Sequence, residues 1–405
     1  MDLISGPTLS EDCEAPKDWL KYTIGDLIEF EGGSQPDKVF FRPSWRPGYV
    51  RLIQIRDYKT NKYETFVPAS LARRFCNTND IMIGRYGPPI FQILRGIEGA
   101  YNVALIKAKP RPQINHLYAY YYLQQQKLFT FVEKLSQRSS GQTGVDLTEL
   151  RNYPLPLPPD TAEQAAIATA LSDMDALIES LDQVLAKKRH LKHGALQELL
   201  RPKDGWLEKR LGSTSVCKAR IGWQGLTTAE YLDTGDFCLV TGTDFRNGYI
   251  DWDNCHYVAK VRYKQDENIQ LRSRDVLVTK DGTIGKVAFV DRLHKPATLN
   301  SGVFVIRPIE DAFDPAFFYY VLCSNVFTDF LGQLSAGSTI NHLYQKDFVN
   351  FVYNTPGTLN QQSAIAAILS DMDAEIAALE TKLAKARQIK QGMMQNLLTG
   401  RIRLV

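Results

Sequence analysis

Little in this sequence points to catalysis. Its six cysteines, Cys13, Cys76, Cys217, Cys238, Cys255 and Cys323, include no close pair. The spacing of two ligands about a turn apart that a zinc site needs is therefore missing, and reduced structural thiols are expected. No apolar run approaches the ~20 residues of a membrane span. The first residues, with Asp2, Glu11, Asp12 and Glu14, lack the basic and apolar stretches of a signal peptide, which predicts a cytoplasmic protein without a membrane partner. Charge of either sign is not in excess: 48 Lys and Arg face 45 Asp and Glu, a net charge of +3. Any nucleic-acid contact must come from local patches rather than from bulk charge. Catalytic motifs fail as well. Gly87-Pro88-Pro89-Ile90 and Leu157-Pro158-Pro159-Asp160 lack the Asn or Asp and the aromatic that flank the paired prolines of an adenine methyltransferase, and no Phe-x-Gly-x-Gly turn occurs. Gly282-Thr283-Ile284-Gly285-Lys286 lacks the Walker spacing and the Ser or Thr after Lys. No enzymatic activity is expected of this chain.

What the chain does have is a repeat. Gln164 to Leu200 and Gln362 to Leu398 are near copies, and the block Leu171-Ser172-Asp173-Met174-Asp175-Ala176 recurs unchanged 198 positions later at Leu369–Ala374. A second echo opens each half: Pro16-Lys17-Asp18-Trp19-Leu20 and Pro202-Lys203-Asp204-Gly205-Trp206-Leu207. The similar parts read as helices and the dissimilar parts lie between them. In the first copy Leu171, Ile178 and Leu185 fall seven apart, with Met174 and Leu181 between. In the second, Leu369, Ile376 and Leu383 alternate with Met372 and Leu379. That is a heptad seam, extended through Leu191, Leu196 and Leu199 and through Ile389, Met393 and Leu397. Asp160 or Thr161 can cap the first of these helices, with Glu163 or Gln164 at capping-box distance. A helix of roughly 40 residues, about 60 Å long, cannot bury its own seam, so the other copy is the expected antiparallel partner.

Between the helices the pattern changes to short apolar runs broken by Gly, Pro and charge, such as Tyr49–Ile55, Asp80–Gly84, Phe237–Val240, Val276–Val278 and Val303–Ile306. These predict strands and hairpins. Each half then shows an aromatic helical stretch, Ile114–Leu135 and Phe317–Leu334, a polar loop, Ser139–Gly144 and Ala336–Thr339, and a Pro-containing segment. The expected fold is α+β. Two β-rich globular domains are separated by two long helices that pair as an antiparallel coiled coil. The expected boundaries are 1–158, 159–201, 202–356 and 357–405.

This order, twice in one chain, resembles the specificity (S) subunit of a type I restriction–modification system over essentially its whole length. Three motifs carry the resemblance. They are the Trp-Leu opening at Trp19 and Trp206; the strand and turn Asp275–Lys286 with its looser counterpart Asp80–Gly87; and the loop, Pro-rich segment and Gln-(3)-Ile-Ala helix start at Gln164, Ile167, Ala168 and Gln362, Ile365, Ala366. Gly87-Pro88-Pro89-Ile90 departs from the family's Gly-x-x-Gly turn. The resemblance implies two target-recognition domains, each reading half of a bipartite and, given their dissimilarity, asymmetric double-stranded DNA target. It also implies docking of two DNA-adenine methyltransferase (M) subunits on the helices, with restriction (R) subunits joining through M. S-adenosylmethionine is then expected in the M partner, and ATP and Mg in the R partner.

Polar loop residues are the candidate DNA contacts: Gln54, Arg56, Asp57, Arg85, Tyr86, Gln142 and Thr143 in the first domain. In the second they are Thr243, Asp244, Arg246, Lys280, Thr283, Lys286, Asn300, Ser338, Asn341 and His342. Candidate M contacts are Gln164, Ile167, Asp173, Asp175, Gln362, Ile365, Asp371 and Asp373. Asp173 and Asp175, two apart on a helix, face different ways and cannot share a metal or a proton. His190 and His193 lack a third ligand and read as a solvated basic face. Tyr118, Tyr120, Tyr121, Phe317, Phe318 and Tyr319, at helical spacing, read as core rather than as a stacking platform. A coiled-coil scaffold that binds protein instead of DNA remains the rival, and a DNA binder that acts without M is a third reading. If the helices act as a ruler, inserting seven residues in register into each should lengthen the preferred target spacer by about 10 Å, roughly three base pairs. An unchanged spacer in the methylated motif would refute the ruler.

Overall fold

The computed structural model describes residues 16–138, 144–222, 225–335 and 342–404. Contacts divide the chain into two units. One runs to Asp182 and resumes at Lys382; the other is Gln183–Thr381. The architecture is α+β, with β-rich globular parts and two long helices of 39 residues, Thr161–Leu199 and Leu359–Leu397. Among the described residues no helix is long and apolar enough to cross a membrane.

In the first unit the opening strand Leu20–Thr23 pairs antiparallel with Pro154–Leu157, Leu20 opposite Leu157. The chain thus enters and leaves the globular part side by side. Prolines are tolerated in that ribbon because a two-stranded sheet leaves each strand a free edge. Two four-stranded sheets follow. One has the order Ile28–Gly32, Leu105–Pro110, Ile81–Gly84, Ile93–Leu94; the other, Phe66–Pro68, Tyr49–Ile53, Gly99–Tyr101, Phe75–Cys76. The aromatic stretch forms two helices, His116–Leu123 and Gln126–Arg138. Tyr118 and Tyr121 lie in a core shared with Ile167, Leu171 and Leu397 of the long helices.

The second unit repeats the plan. Leu207–Arg210 pairs antiparallel with Val352–Thr355. A six-stranded sheet runs Ser215–Ala219, Val303–Pro308, Val276–Thr279, Val287–Phe289, Tyr249–Ile250, Phe245–Arg246. A three-stranded sheet joins His256–Tyr257, Cys238–Val240 and Ala297–Leu299. The helices Pro315–Leu322 and Asn325–Leu334 bring Phe317 and Phe318 into a core with Leu196 and Leu369.

A glutamine locks each junction. The Asn115 N–H donates to Gln164 Oε1 at 2.7 Å, and Gln164 Nε2 donates to the Pro158 carbonyl at 3.0 Å. In the other unit the Asp314 N–H reaches Gln362 Oε1 at 2.8 Å, and Gln362 Nε2 reaches the Pro356 carbonyl at 3.1 Å. One side chain thereby satisfies two backbone groups that burial would otherwise orphan. Asp160 caps the first long helix through the Ala162 N–H at 2.7 Å. Glu163 does not complete a capping box, because its carboxylate is held by Arg403.

The long helices run antiparallel within each unit. Asp175 pairs with Lys390 at 2.6 Å and Asp182 with Arg387 at 2.8 Å in the first. In the second, Lys192 pairs with Asp373, Lys188 with Glu375 at 2.5 Å and Arg189 with Glu380 at 2.6 Å. Leu171, Leu181, Leu185, Leu369 and Leu383 are buried as the seam requires. Leu191 and Ile389 are not: they are 52% and 45% exposed. They stand one position off the repeat, which continues through Lys188, Lys192, Ala195 and Leu199 and through Ala386, Lys390, Met393 and Leu397. Of the three lysines inside the seam, Lys192 and Lys390 are tied to aspartates, and each of these aspartates also accepts a tyrosine hydroxyl. Tyr121 donates to Asp175 at 2.8 Å and Tyr320 to Asp373 at 2.9 Å. Burial first, and the neighbouring carboxylate next, hold both phenols above their ordinary range, so the hydroxyls stay donors. Asp373→Ala would strip Lys192 and the Tyr320 hydroxyl of an acceptor at a cost of roughly 2–3 kcal/mol, against about 1 kcal/mol for Tyr320→Phe. In urea titrations the double variant should lose less than the sum; strict additivity would mean the three groups act separately.

Candidate nucleic-acid interface

The candidate residues cluster at two turns in each unit. The first turn is held by an aspartate. Residues Ile55–Tyr58 form a 3-10 turn in which the Gln54 N–H donates to Asp57 Oδ2 at 3.0 Å. Gly242–Asp244 repeats it, with the Thr241 N–H donating to Asp244 Oδ2 at 2.7 Å and the Thr241 hydroxyl at 3.0 Å. Both aspartates are buried, and burial raises both carboxyls above the usual range despite these hydrogen bonds. Asp57 and Asp244, expected to reach DNA, are caps that shape the turn from inside. Their neighbours Arg56 and Thr243 are exposed. Gln54 spends its amide on the Thr65 hydroxyl at 3.0 Å.

The second turn follows a central strand. In the second unit Val276–Thr279 and Val287–Phe289 form a hairpin. The Thr279 hydroxyl donates to the Thr283 carbonyl at 2.5 Å and accepts from the Lys286 N–H at 2.9 Å, closing the loop between them. Gly282 and Gly285 have φ of +67° and +79°, the left-handed region that glycine enters without strain. Thr283 and Lys286 stand exposed at the tip, and Lys280 lies half-buried over the Phe304 ring. In the first unit Ile81–Gly84 and Ile93–Leu94 form the hairpin, with Gly87 at φ +96°. Arg85 lies 5.3 Å from the centre of the exposed Tyr86 ring.

The two turns abut in both units. A Cβ on Gly242 would meet Thr279 at 2.7 Å, and one on Gly84 would meet Ile55 at 3.4 Å. The residues just after each polar loop return to the same place. The Val145 N–H donates to the Arg85 carbonyl at 3.1 Å, and the Leu343 N–H to the Lys280 carbonyl at 2.8 Å. His342 thereby meets Asp281. Gln142, Thr143, Ser338 and Asn341 lie outside the described residues. Arg246 stands apart on an edge strand, paired with Asp251 at 2.7 Å. Asn300 commits its side chain to Tyr231 and Ser301 and does not point to the turn cluster. Sequence reasoning missed Tyr344, exposed and 4.6 Å from the His342 ring, and Lys346 beside it. Their signal was an aromatic between two basic residues directly after the polar loop.

The helix candidates divide the same way. Asp173 and Asp371 are exposed, and Ile365 is half-buried. Gln164, Ile167 and Gln362 are buried within their own units, and Asp175 and Asp373 are engaged by Tyr and Lys. These five, expected to meet a partner, each make contacts within their own unit. His190 and His193 are exposed, and no group of three metal-binding side chains occurs among the described residues. Burial pushes the Cys76 and Cys217 thiols up to about 11 and about 12, which keeps them protonated and unreactive.

The model of the type I restriction modification DNA specificity domain matches twice, over residues 16–187 and 204–388. The MjaVIII specificity subunit of Methanocaldococcus jannaschii is 24% identical across 96% of this chain and 94% of its own. The EcoBI specificity subunit of Escherichia coli is 22% identical across 95% and 85%. Among solved structures, the S subunit of a type I restriction–modification system from M. genitalium superposes with a TM-score of 0.62 at 16% identity, covering 96% of this chain and 98% of that one. A chain from a study of type I complex assembly and conformational transition superposes at 0.56 and 16% identity, covering 96% and 100%. Both likenesses show the fold.

If Asp57 and Asp244 cap rather than read, Asp244→Ala should cost the second unit about 1 kcal/mol in urea denaturation. The preferred bases of any bound DNA should stay the same; a changed preference at normal stability would reverse that assignment.

Proposed function

Because the chain belongs to the type I restriction–modification DNA specificity family, we propose that it reads a two-part, asymmetric DNA target, one half-site through each unit. It is a specificity subunit: it serves DNA recognition and carries no catalytic activity, which resides in the M and R subunits of such systems. Two DNA-adenine methyltransferase (M) subunits dock on the long helices, and restriction (R) subunits join through them. Work on chromosomal DNA places the protein in the cytoplasm.

One observation supports this reading above the others. The abutting turns share the buried aspartate cap and the backbone bond that returns the chain to Arg85 or Lys280, yet they present different side chains. Arg56, Arg85 and Tyr86 stand at the first pair. Thr243, Lys280, Thr283, Lys286 and His342 stand at the second, with Tyr344 and Lys346 added. A shared frame with unlike tips suits two readers of unlike half-sites. The lysines and arginines meet phosphates or guanine edges, while Thr283 and His342 supply hydrogen bonds to bases. Gln142, Thr143, Ser338 and Asn341 remain proposed contacts from the polar loops. For the M subunit the contact is proposed first at Asp173, Asp371 and Ile365, which keep accessible surface on the helices, with the partly exposed Asp175 and Asp373 beside them.

The test is genome-wide mapping of N6-methyladenine in cells that hold this chain with its M subunit. The expected result is one two-part motif with a fixed gap, lost when this chain is deleted. Marks that survive the deletion would favour the protein-binding scaffold. With the motif known, Lys280→Ala plus Lys286→Ala should weaken binding and reduce the slope of log K against log salt by about 2, one unit for each lost phosphate contact. An unchanged slope would remove these lysines from the interface.

A further inference from the structure

The proposed DNA-facing turn of the second unit carries a carboxylate. Asp281 is exposed between Lys280 and Lys286, and a free carboxylate at such a tip repels the phosphates of a duplex. It is bonded to neither lysine. Its partner is Nδ1 of His342, which the bond from the Leu343 N–H to the Lys280 carbonyl brings to the turn. A carboxylate only accepts, so the hydrogen of this contact is on Nδ1. Nε2 forms no hydrogen bond with a described residue. The ring is half-buried, with the Tyr344 ring 4.6 Å away.

The duplication isolates this pair. In the first unit the matching bond runs from the Val145 N–H to the Arg85 carbonyl, so Tyr86 corresponds to Asp281 and Gly144 to His342. A Cβ on Gly144 would lie 3.1 Å from the Tyr86 ring: the large side chain at one position leaves no room for one at the other. The second unit reverses the sizes, and the short aspartate both admits an imidazole and bonds it. We infer that Asp281 is a positioning residue for base recognition. It holds His342 by Nδ1 and leaves Nε2 as the atom that reads one base of the second half-site. The inference rests on the recognition role proposed for this chain. With Nδ1 committed, the polarity of Nε2 follows the charge of the ring. A neutral imidazole accepts there and suits the exocyclic amine of adenine or cytosine; an imidazolium donates and suits guanine N7 or O6. Without the carboxylate, either nitrogen of the neutral ring can carry the hydrogen and face outward, and the choice of base relaxes. The other charged or titratable groups at this place are Lys280 and Lys286 on the turn and Tyr344, Lys346 and Asp347 on the segment of His342. Lys218 joins them on the strand whose Cys217 carbonyl accepts from Gln345.

The test uses the intact chain with its M subunit and a labelled duplex that carries the mapped motif. Unlabelled duplexes, each changed at one base pair of the second half-site, compete for binding at about pH 6 and about pH 8, which bracket the ordinary histidine range. The expected result is one base pair with about tenfold discrimination, whose preference moves from an amine-bearing base toward guanine as the pH falls. Asp281→Ala and His342→Ala should each flatten the preference at that base pair at the higher pH, and His342→Ala should abolish its pH dependence. The double variant should lose no more than His342→Ala alone, because the aspartate acts through the imidazole. All other positions of both half-sites should keep their preferences. A merely structural role for Asp281 would weaken binding at every position alike. That outcome, a double variant worse than His342→Ala, or a choice of base that ignores pH at every position overturns the inference. Absence of any two-part motif would instead remove the recognition role on which it rests.

Discussion

Each unit depends on an aspartate that is asked for twice. Asp175 and Asp373 sit at the same place in the repeated helix block. Each accepts a hydroxyl from the aromatic helix of its own globular part and an ammonium from the antiparallel long helix. The lysine occupies a seam position where a leucine would pack better. A charged group there is tolerated only where its partner is in place, so the contact selects one register of the helices. The tyrosine brings the globular part into the same arrangement, and the glutamine one turn into each helix fastens the chain where it leaves that part. Sliding either element by one residue would strand a cation, a phenol and two backbone groups together.

This rigidity explains the division of labour in the candidate interface. The aspartates inside the turns, Asp57 and Asp244, and the hydroxyl of Thr279 spend their hydrogen bonds on shaping the loop. The exposed tips are then free to vary without cost to the fold. Arg85 with Tyr86 and Lys280 with Thr283 therefore stand on similar frames with different chemistry. The pairing of opening and closing strands, Leu20 opposite Leu157 and Leu207 opposite Thr355, adds to this. It closes each globular part where the chain enters and leaves it.

Much of this was legible in the residues. The 198-residue repeat, the heptads through Leu171 and Leu369, the period-two runs and the aromatic helical stretches give the α+β architecture and its order, because local periodicity and backbone propensity are properties of neighbouring positions. The burial of Tyr118, Tyr121, Phe317 and Phe318 follows from the same reasoning. The family likeness rests on the order of short motifs, which is also a linear property.

What the linear pattern left open was which of two neighbouring residues faces inward. Asp57 against Arg56, Asp175 against Asp173 and Leu191 against Lys192 are each a difference of one or two positions. For Asp175 and Lys192 hydrogen bonds and ion pairs from residues far away in the chain made the choice, and for Asp57 the folding of its own turn onto the Gln54 N–H. Gln164 looks like any surface glutamine until the Asn115 amide and the Pro158 carbonyl are brought to it. The sequence by itself determined the elements, their duplication and their order. Only the tertiary structure decided which side chains are spent inside and which remain at the surface to recognise something, because the cost of burying a polar group depends on partners that folding alone assembles.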